Sequence, residues 1–167
     1  TWDGTDGHIF SKEHVVVEGA STHPLHPRDL GEHLRKHIDA GGIIIGHNIN
    51  GFDLPVLRDA LDCHEAGMLL GKHSQSVRDT SRLYRAAAGE SAPLDDLCKH
   101  TLGGGKTLMT SSDAPIAWRA GKHSEVAKYC LDDARLAYDL YAHGCDNGFV
   151  KARSQQSGEV VEIEVTW

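Results

Sequence analysis

The order of apolar patterns in this 167-residue chain predicts an α/β domain. Three observations carry that reading. An amphipathic run ending in paired glycines leads at once into three consecutive isoleucines and then into a second helical run, which is helix, strand and helix in succession. A long stretch from Ser124 to His143 keeps helical periodicity throughout. Alternating apolar residues near both ends of the chain supply further strands.

Taken in order, His8 to Val17 alternates in a β-rich stretch behind the turn signals Asp3-Gly4 and Asp6-Gly7, and it reads as a hairpin. After a His- and Pro-rich loop (Ser21 to Pro27), Leu30, Leu34 and Ile38 repeat every four residues until Gly41-Gly42 ends the helix. Gly42-Ile-Ile-Ile-Gly46 is a buried strand. Leu54, Leu57 and Leu61 mark the inner face of a helix from Asp53, with Pro55 suited to its first turn. Val77 to Thr80 is a short strand end, followed by a helix through Leu83 to Ala88 and another over Pro93 to His100. Thr101 to Thr107 is a flexible loop, and Asp113 to Ala120 a short helix with Asp113 as its cap. In the helix from Ser124, Val126, Cys130, Ala134, Ala137 and Tyr141 face inward, and Gly144 closes it. Phe149 to Arg153 and Val160 to Val165 form a closing hairpin around Gln156-Ser157-Gly158.

A chain of this length buries roughly two-thirds of its unfolded surface, so one domain spanning residues 1–167 is expected. The apolar (40%) and charged (25%) fractions are those of a globular protein, and no apolar run approaches the roughly 20 residues needed to cross a bilayer. Cys63, Cys98, Cys130 and Cys145 have no C-x-x-C spacing. They read as reduced packing thiols, which together with the absence of a signal segment leads us to expect a cytoplasmic protein without membrane partners. A formal charge of −7 argues against a protein that coats nucleic acid. It does not exclude a metal-dependent phosphodiesterase, which gathers carboxylates at its centre. Of the twelve histidines, His33 and His37 share helical spacing, but no His-Glu-x-x-His zinc pattern follows, and a solvated helix face is the plainer reading. Gly103-Gly-Gly-Lys-Thr107 falls short of a phosphate-binding P-loop because His100 stands where a glycine is required.

Two acidic residues follow aromatic ones at short offsets. Asp53 ends Asn48-Ile-Asn-Gly-Phe52-Asp53, at the break between the isoleucine strand and the next helix. Asp133 ends Tyr129-Cys-Leu-Asp-Asp133, where the i, i+4 spacing puts a phenol and a carboxylate one turn apart on one helix face. Such a pair could meet over one hard cation, for which carboxylate oxygen is the preferred ligand. Asn-x-x-x-Phe-Asp and Tyr-x-x-x-Asp resemble the second and third motifs of the DEDD superfamily of 3′-5′ exonucleases, in its tyrosine subgroup. Leu97 to Lys106 and Asn147 to Trp167 extend the likeness over nearly the whole chain.

The resemblance implies a ribonuclease H-like three-layer fold, with a mixed central sheet flanked by helices, and hydrolysis of phosphodiesters at nucleic-acid 3′ ends, probed best as single strands. It implies two Mg²⁺ or Mn²⁺ ions held with the help of Asp53 and Asp133, Tyr129 orienting the attacking water, and a helicase or polymerase as partner. The family's first motif, Asp-x-Glu on the opening strand, has no match near the start. The central sheet is therefore expected to lack a strand, and two readings stay open: an exonuclease whose site is incomplete in this chain, or an inactive nucleic-acid-binding accessory domain. Alternatives also stay open residue by residue. Asp53 serves a metal or caps its helix. Asn48 and His47 contact nucleic acid or fix the turn they occupy. Phe52 packs in the core rather than stacking on a base, Asp79 caps the next helix, Asp132 is a surface charge, and Lys106 contacts a backbone phosphate.

Overall fold

The computed structural model describes residues 1–104 and 109–167. Strand β1 (Gly7–Ser11) is followed by β2 (Ala20–Pro24), helix α1 (Pro27–Asp39), β3 (Ile44–Gly46), α2 (Asp53–Leu61), α3 (His64–Leu70), a 3-10 turn at Ser74–Ser76 and β4 (Val77–Asp79). Then come α4 (Thr80–Ala88), α5 (Leu94–Thr101), α6 (Ala114–Arg119), the long α7 (His123–Asn147), β5 (Phe149–Arg153) and β6 (Val160–Glu164). The α/β class holds. Among the described residues no helix is long and apolar enough to cross a membrane.

The strands, however, do not join into the single mixed sheet expected from sequence. Among the described residues they make three two-stranded sheets: β1–β2 and β3–β4 parallel, β5–β6 antiparallel. The physical reason is the brevity of β3 and β4, which pair over only three positions (Ile44↔Val77 to Gly46↔Asp79). No described strand lies on the other edge of β3, so its isoleucines are half-buried rather than buried on both faces.

The N-terminal hairpin is also corrected. β1 runs parallel to β2, with Gly7 beside Ala20 and Ser11 beside Pro24. Ser11 ends the strand by accepting the Glu13 amide at its hydroxyl (3.1 Å). The apolar alternation that follows goes to packing: Val15 is buried beside Ile9 and Ala127, while Val16 is 66% exposed and its amide donates to Ser124 Oγ (3.0 Å). Gly19, at φ +74, then turns the chain back alongside β1. The closing hairpin of β5 and β6 is as the alternation predicts. Helix α3 escaped the sequence reading, though Ala66 and Leu69 form its buried face.

Three apolar clusters stabilise the fold. One joins Leu30 and Leu34 of α1 to Leu54, Ala66, Leu69 and Val77. A second joins Tyr84, Leu97 and Cys98 to Ala137, Leu140, Val150 and Val165. The third sets Ile9 and Val15 against Ala127, with Leu131 beside them. Helix α7 contributes to two of them and also packs on β3. Its residue Cys130, expected to face inward, is exposed, because the inward stripe at that end runs through Val126, Ala127 and half-buried Leu131.

Near its C-terminus α7 carries Gly144, and a Cβ there would collide with the Trp167 indole, itself stacked on Tyr141 at 6.1 Å. Alanine improves helix propensity by up to about 1 kcal/mol, but overpacking a rigid ring costs about 1–3 kcal/mol. We therefore expect Gly144→Ala to lower the thermal midpoint by a few degrees, measured by calorimetry; an unchanged or raised midpoint would show that the indole yields.

Candidate functional site

The site begins with a buried carboxylate. Asp79 ends β4, its side chain only 2% exposed, and caps α4 by accepting the Ser81 and Arg82 amides at Oδ1 (3.1 and 3.4 Å). The same group reaches across to the turn that follows β3. There Oδ1 accepts the Asn48 amide (2.9 Å) and Oδ2 the Asn50 amide (3.1 Å). Capping was legible in the sequence; the second role was not, since it depends on β3 and β4 lying side by side.

The turn itself is sharp. Asn48 has φ +60, and its carbonyl accepts from both Gly51 and Phe52 amides (3.0 Å each). Gly51 is needed because a Cβ there would meet Asn48 Oδ1. Asn48 is exposed. His47 is held instead within the protein: Nδ1 lies 3.0 Å from Thr80 Oγ1 and Nε2 3.1 Å from the Ala92 carbonyl, the placement of a turn-fixing residue. Ile49 takes the core position, closing over Gly46, which has no room for a Cβ against it. Phe52 is thereby turned outward and is 63% exposed, so the expectation that it packs in the core is corrected. Val56, one turn later in α2, is also exposed.

Asp53 opens α2. Although the residue is exposed as a whole, its carboxyl titrates above the ordinary aspartate range, first because of burial and then because of the charges of Asp79 and Asp133. The structure thus brings Asp53 and Asp133 within electrostatic reach of each other, although they are far apart in sequence. Asp133 comes from α7, which packs on β3; the residue is half-buried and its Oδ1 is fully buried. Tyr129, one turn earlier, is half-buried too. Asp132 points elsewhere and pairs with Lys128 (2.7 Å), as a surface charge would. Lys106, expected to contact phosphate, lies outside the described residues.

Among the described residues no group of three or more His, Cys, Asp or Glu side chains is arranged to hold a metal ion. Two carboxylates remain. Their mutual repulsion, visible at Asp53, is the kind that one hard divalent ion shared between them would relieve. They supply too few ligands for the two ions expected.

Two outcomes are expected from this geometry. Asp79→Asn keeps the bonds at one oxygen but sets an amide NH₂ against the Asn50 N–H. Leaving that buried donor without an acceptor costs about 1–3 kcal/mol, readable in urea denaturation; wild-type stability would deny Asp79 its bridging role. For Asp53, a folded-state pKa above the unfolded one means that ionisation works against folding. Asp53→Asn should therefore be more stable than wild type at pH 7, the difference shrinking as pH falls and both states protonate. A difference that grows toward acid would reverse the assignment.

Compared with family models, curated proteins and solved structures, the chain matches none.

Proposed function

We propose that this chain is a 3′-5′ exonuclease domain of the DEDD type, on a ribonuclease H-like fold, acting on single-stranded 3′ ends of nucleic acid. The observation that carries the reading is electrostatic: the carboxyl of Asp53, at the start of α2, titrates above the ordinary aspartate range first because of burial and then because of the charges of Asp79 and Asp133, and Asp133 lies 80 positions later on the helix stripe of Tyr129 (133 − 53 = 80). Helix α7, which carries Tyr129 and Asp133, packs on β3, the strand that leads into the turn before Asp53, and this packing supports the reading. A carboxylate whose pKa is perturbed by burial and by neighbouring charges is a candidate for a functional site.

In this reading Asp53 and Asp133 hold Mg²⁺ or Mn²⁺. Bound there, the ion makes water nucleophilic and offsets charge on the phosphate. Tyr129 orients the attacking water; a phenol, whose unperturbed pKa lies near 10, suits a hydrogen-bonding role better than that of a base. Asn48, exposed at the tip of the turn, and Lys106 contact the nucleic-acid backbone, while His47 sets the turn's shape. Phe52 offers an exposed ring beside Asp53 on which a base can stack. A helicase or polymerase partner fits an activity that needs its substrate delivered as a single strand.

A second reading has a specific observation behind it. Two of the four carboxylates that the resemblance implies have no counterpart in this sequence, as an accessory domain that binds nucleic acid without cutting it would show.

A 3′-labelled single-stranded oligonucleotide incubated with the purified chain, with and without Mn²⁺, separates the two. The exonuclease reading expects slow, Mn²⁺-dependent release of labelled nucleotide that Asp133→Ala abolishes. Tyr129→Phe should slow it about 10–100-fold while leaving untouched the rise in thermal midpoint that Mn²⁺ produces. Retention of the oligonucleotide without release supports the accessory domain. Neither retention nor release sinks both.

A further inference from the structure

The two faces of the β1–β2 sheet carry different chemistry. Gly7 and Ile9 look toward α7, where Leu131 and Ala127 meet them. His8, Phe10 and His23 lie on the other face, beneath His33 of α1. His8 Nδ1 lies 3.3 Å from His23 Nε2, and the ring centroids are 5.5 Å apart. The centroid separation exceeds the N···N distance by about two ring radii, so the nitrogens meet head-on along the line of centres. That is the geometry of one N–H donating to one lone pair, with the proton carried by a single ring. His33 stands 5.1 Å from His8 and edge-on to Phe10 at 5.4 Å, its Nε2 near Thr1 Oγ1 (3.3 Å).

We propose that His8, His23 and His33 form a proton-operated latch: with the rings neutral they hold α1 against the β1–β2 sheet, and mild acid releases it. The head-on pair accommodates one charge and not two, because double protonation sets two N–H groups against each other. Asp3 Oδ2, 3.7 Å from His8 Nε2, favours that single charge. His33 cannot share it. Burial, then the charges of His8, His23 and His37, hold its pKa below the ordinary histidine range. Arg135 of α7 sits over the Trp2 ring (5.3 Å) and, being a cation, does not offset a second charge. On the rest of α1, Arg28 pairs with Glu32, and Arg35 with Glu65 of α3.

The sign follows from the lowered pKa. The open form binds one more proton than the closed one, at His33, so closure is complete above pH 6.5 and weakens as pH falls. The opening constant rises by up to about tenfold per pH unit.

Hydrogen exchange at pH 7.5 and 5.5, corrected for the intrinsic pH dependence of exchange, tests this on the chain as it stands. Amides of residues 7–39 should lose at least about tenfold in protection at the lower pH, while those of β5 and the C-terminal half of α7 keep theirs. In His33→Gln and His23→Gln the acid loss should shrink. If neither variant folds, the ring titrations of the wild-type protein followed by NMR decide, His33 being expected to titrate below the ordinary value. Equal protection at both pH values, an acid loss that both variants keep in full, or three rings titrating independently near 6.5 would overturn the proposal.

Discussion

Everything near the candidate site depends on one buried carboxylate. Four backbone N–H groups, from two segments that are not neighbours in sequence, converge on Asp79. Each would otherwise be a donor at a strand end or a helix start without a partner, and such groups cost free energy when left unpaired. The carboxylate thereby sets both the angle at which α4 leaves β4 and the shape of the turn that delivers Asp53. It has an electrostatic consequence as well. Burial is the first cause of the raised pKa of Asp53, and the charge that builds the turn adds to it.

Helix α7 does for the whole domain what Asp79 does for the turn. Three two-stranded sheets have no hydrogen-bonded ladder between them among the described residues, and short parallel pairs are weak on their own. What joins them is side-chain packing along twenty-five residues of helix: Ala127 and Leu131 at one end, Ala137 and Leu140 at the other, β3 between. Its exposed ion pairs, Lys128 with Asp132 and Arg135 with Asp139, add little by comparison. Tyr129 and Asp133 thus stand on an element whose position is set by apolar contacts at both ends, which is how a rigid site is held on a fold with little sheet.

Helical periodicity was the legible part of the sequence. The spacing of Leu30, Leu34 and Ile38 and of Val126, Ala137 and Tyr141 reports burial on one face, which is a local property. Pairing partners were less legible. Val15 to Val17 alternates as a strand does, yet packs on α7, because alternation records which residues are buried and not which backbone they bond. Phe52 and Ile49 show the same limit in the site. Both are large and apolar within one turn, and only the positive φ of Asn48 and the cramped space over Gly46 decide that Ile49 goes in and Phe52 out. The role of Asp79 in the β3 turn needs the β3–β4 register, a contact across 33 positions (Gly46↔Asp79, 79 − 46 = 33) that no local pattern encodes.

Electrostatics separates the two functional readings more sharply than fold does. Asp79 and Asp133 both act on Asp53 within a chain whose formal charge is −7. A phosphate approaching that face alone meets repulsion on top of the loss of its own hydration. The nearest cation to Asp79, Arg82 at 3.8 Å, is largely exposed and compensates one carboxylate at most. On the proposed reading, nucleic acid docks at this turn together with a divalent ion that neutralises both sides at once. Binding that persists after the ion is chelated would have to use another face of the domain, and in that case the exposed Phe52 beside Asp53 would play no part in it.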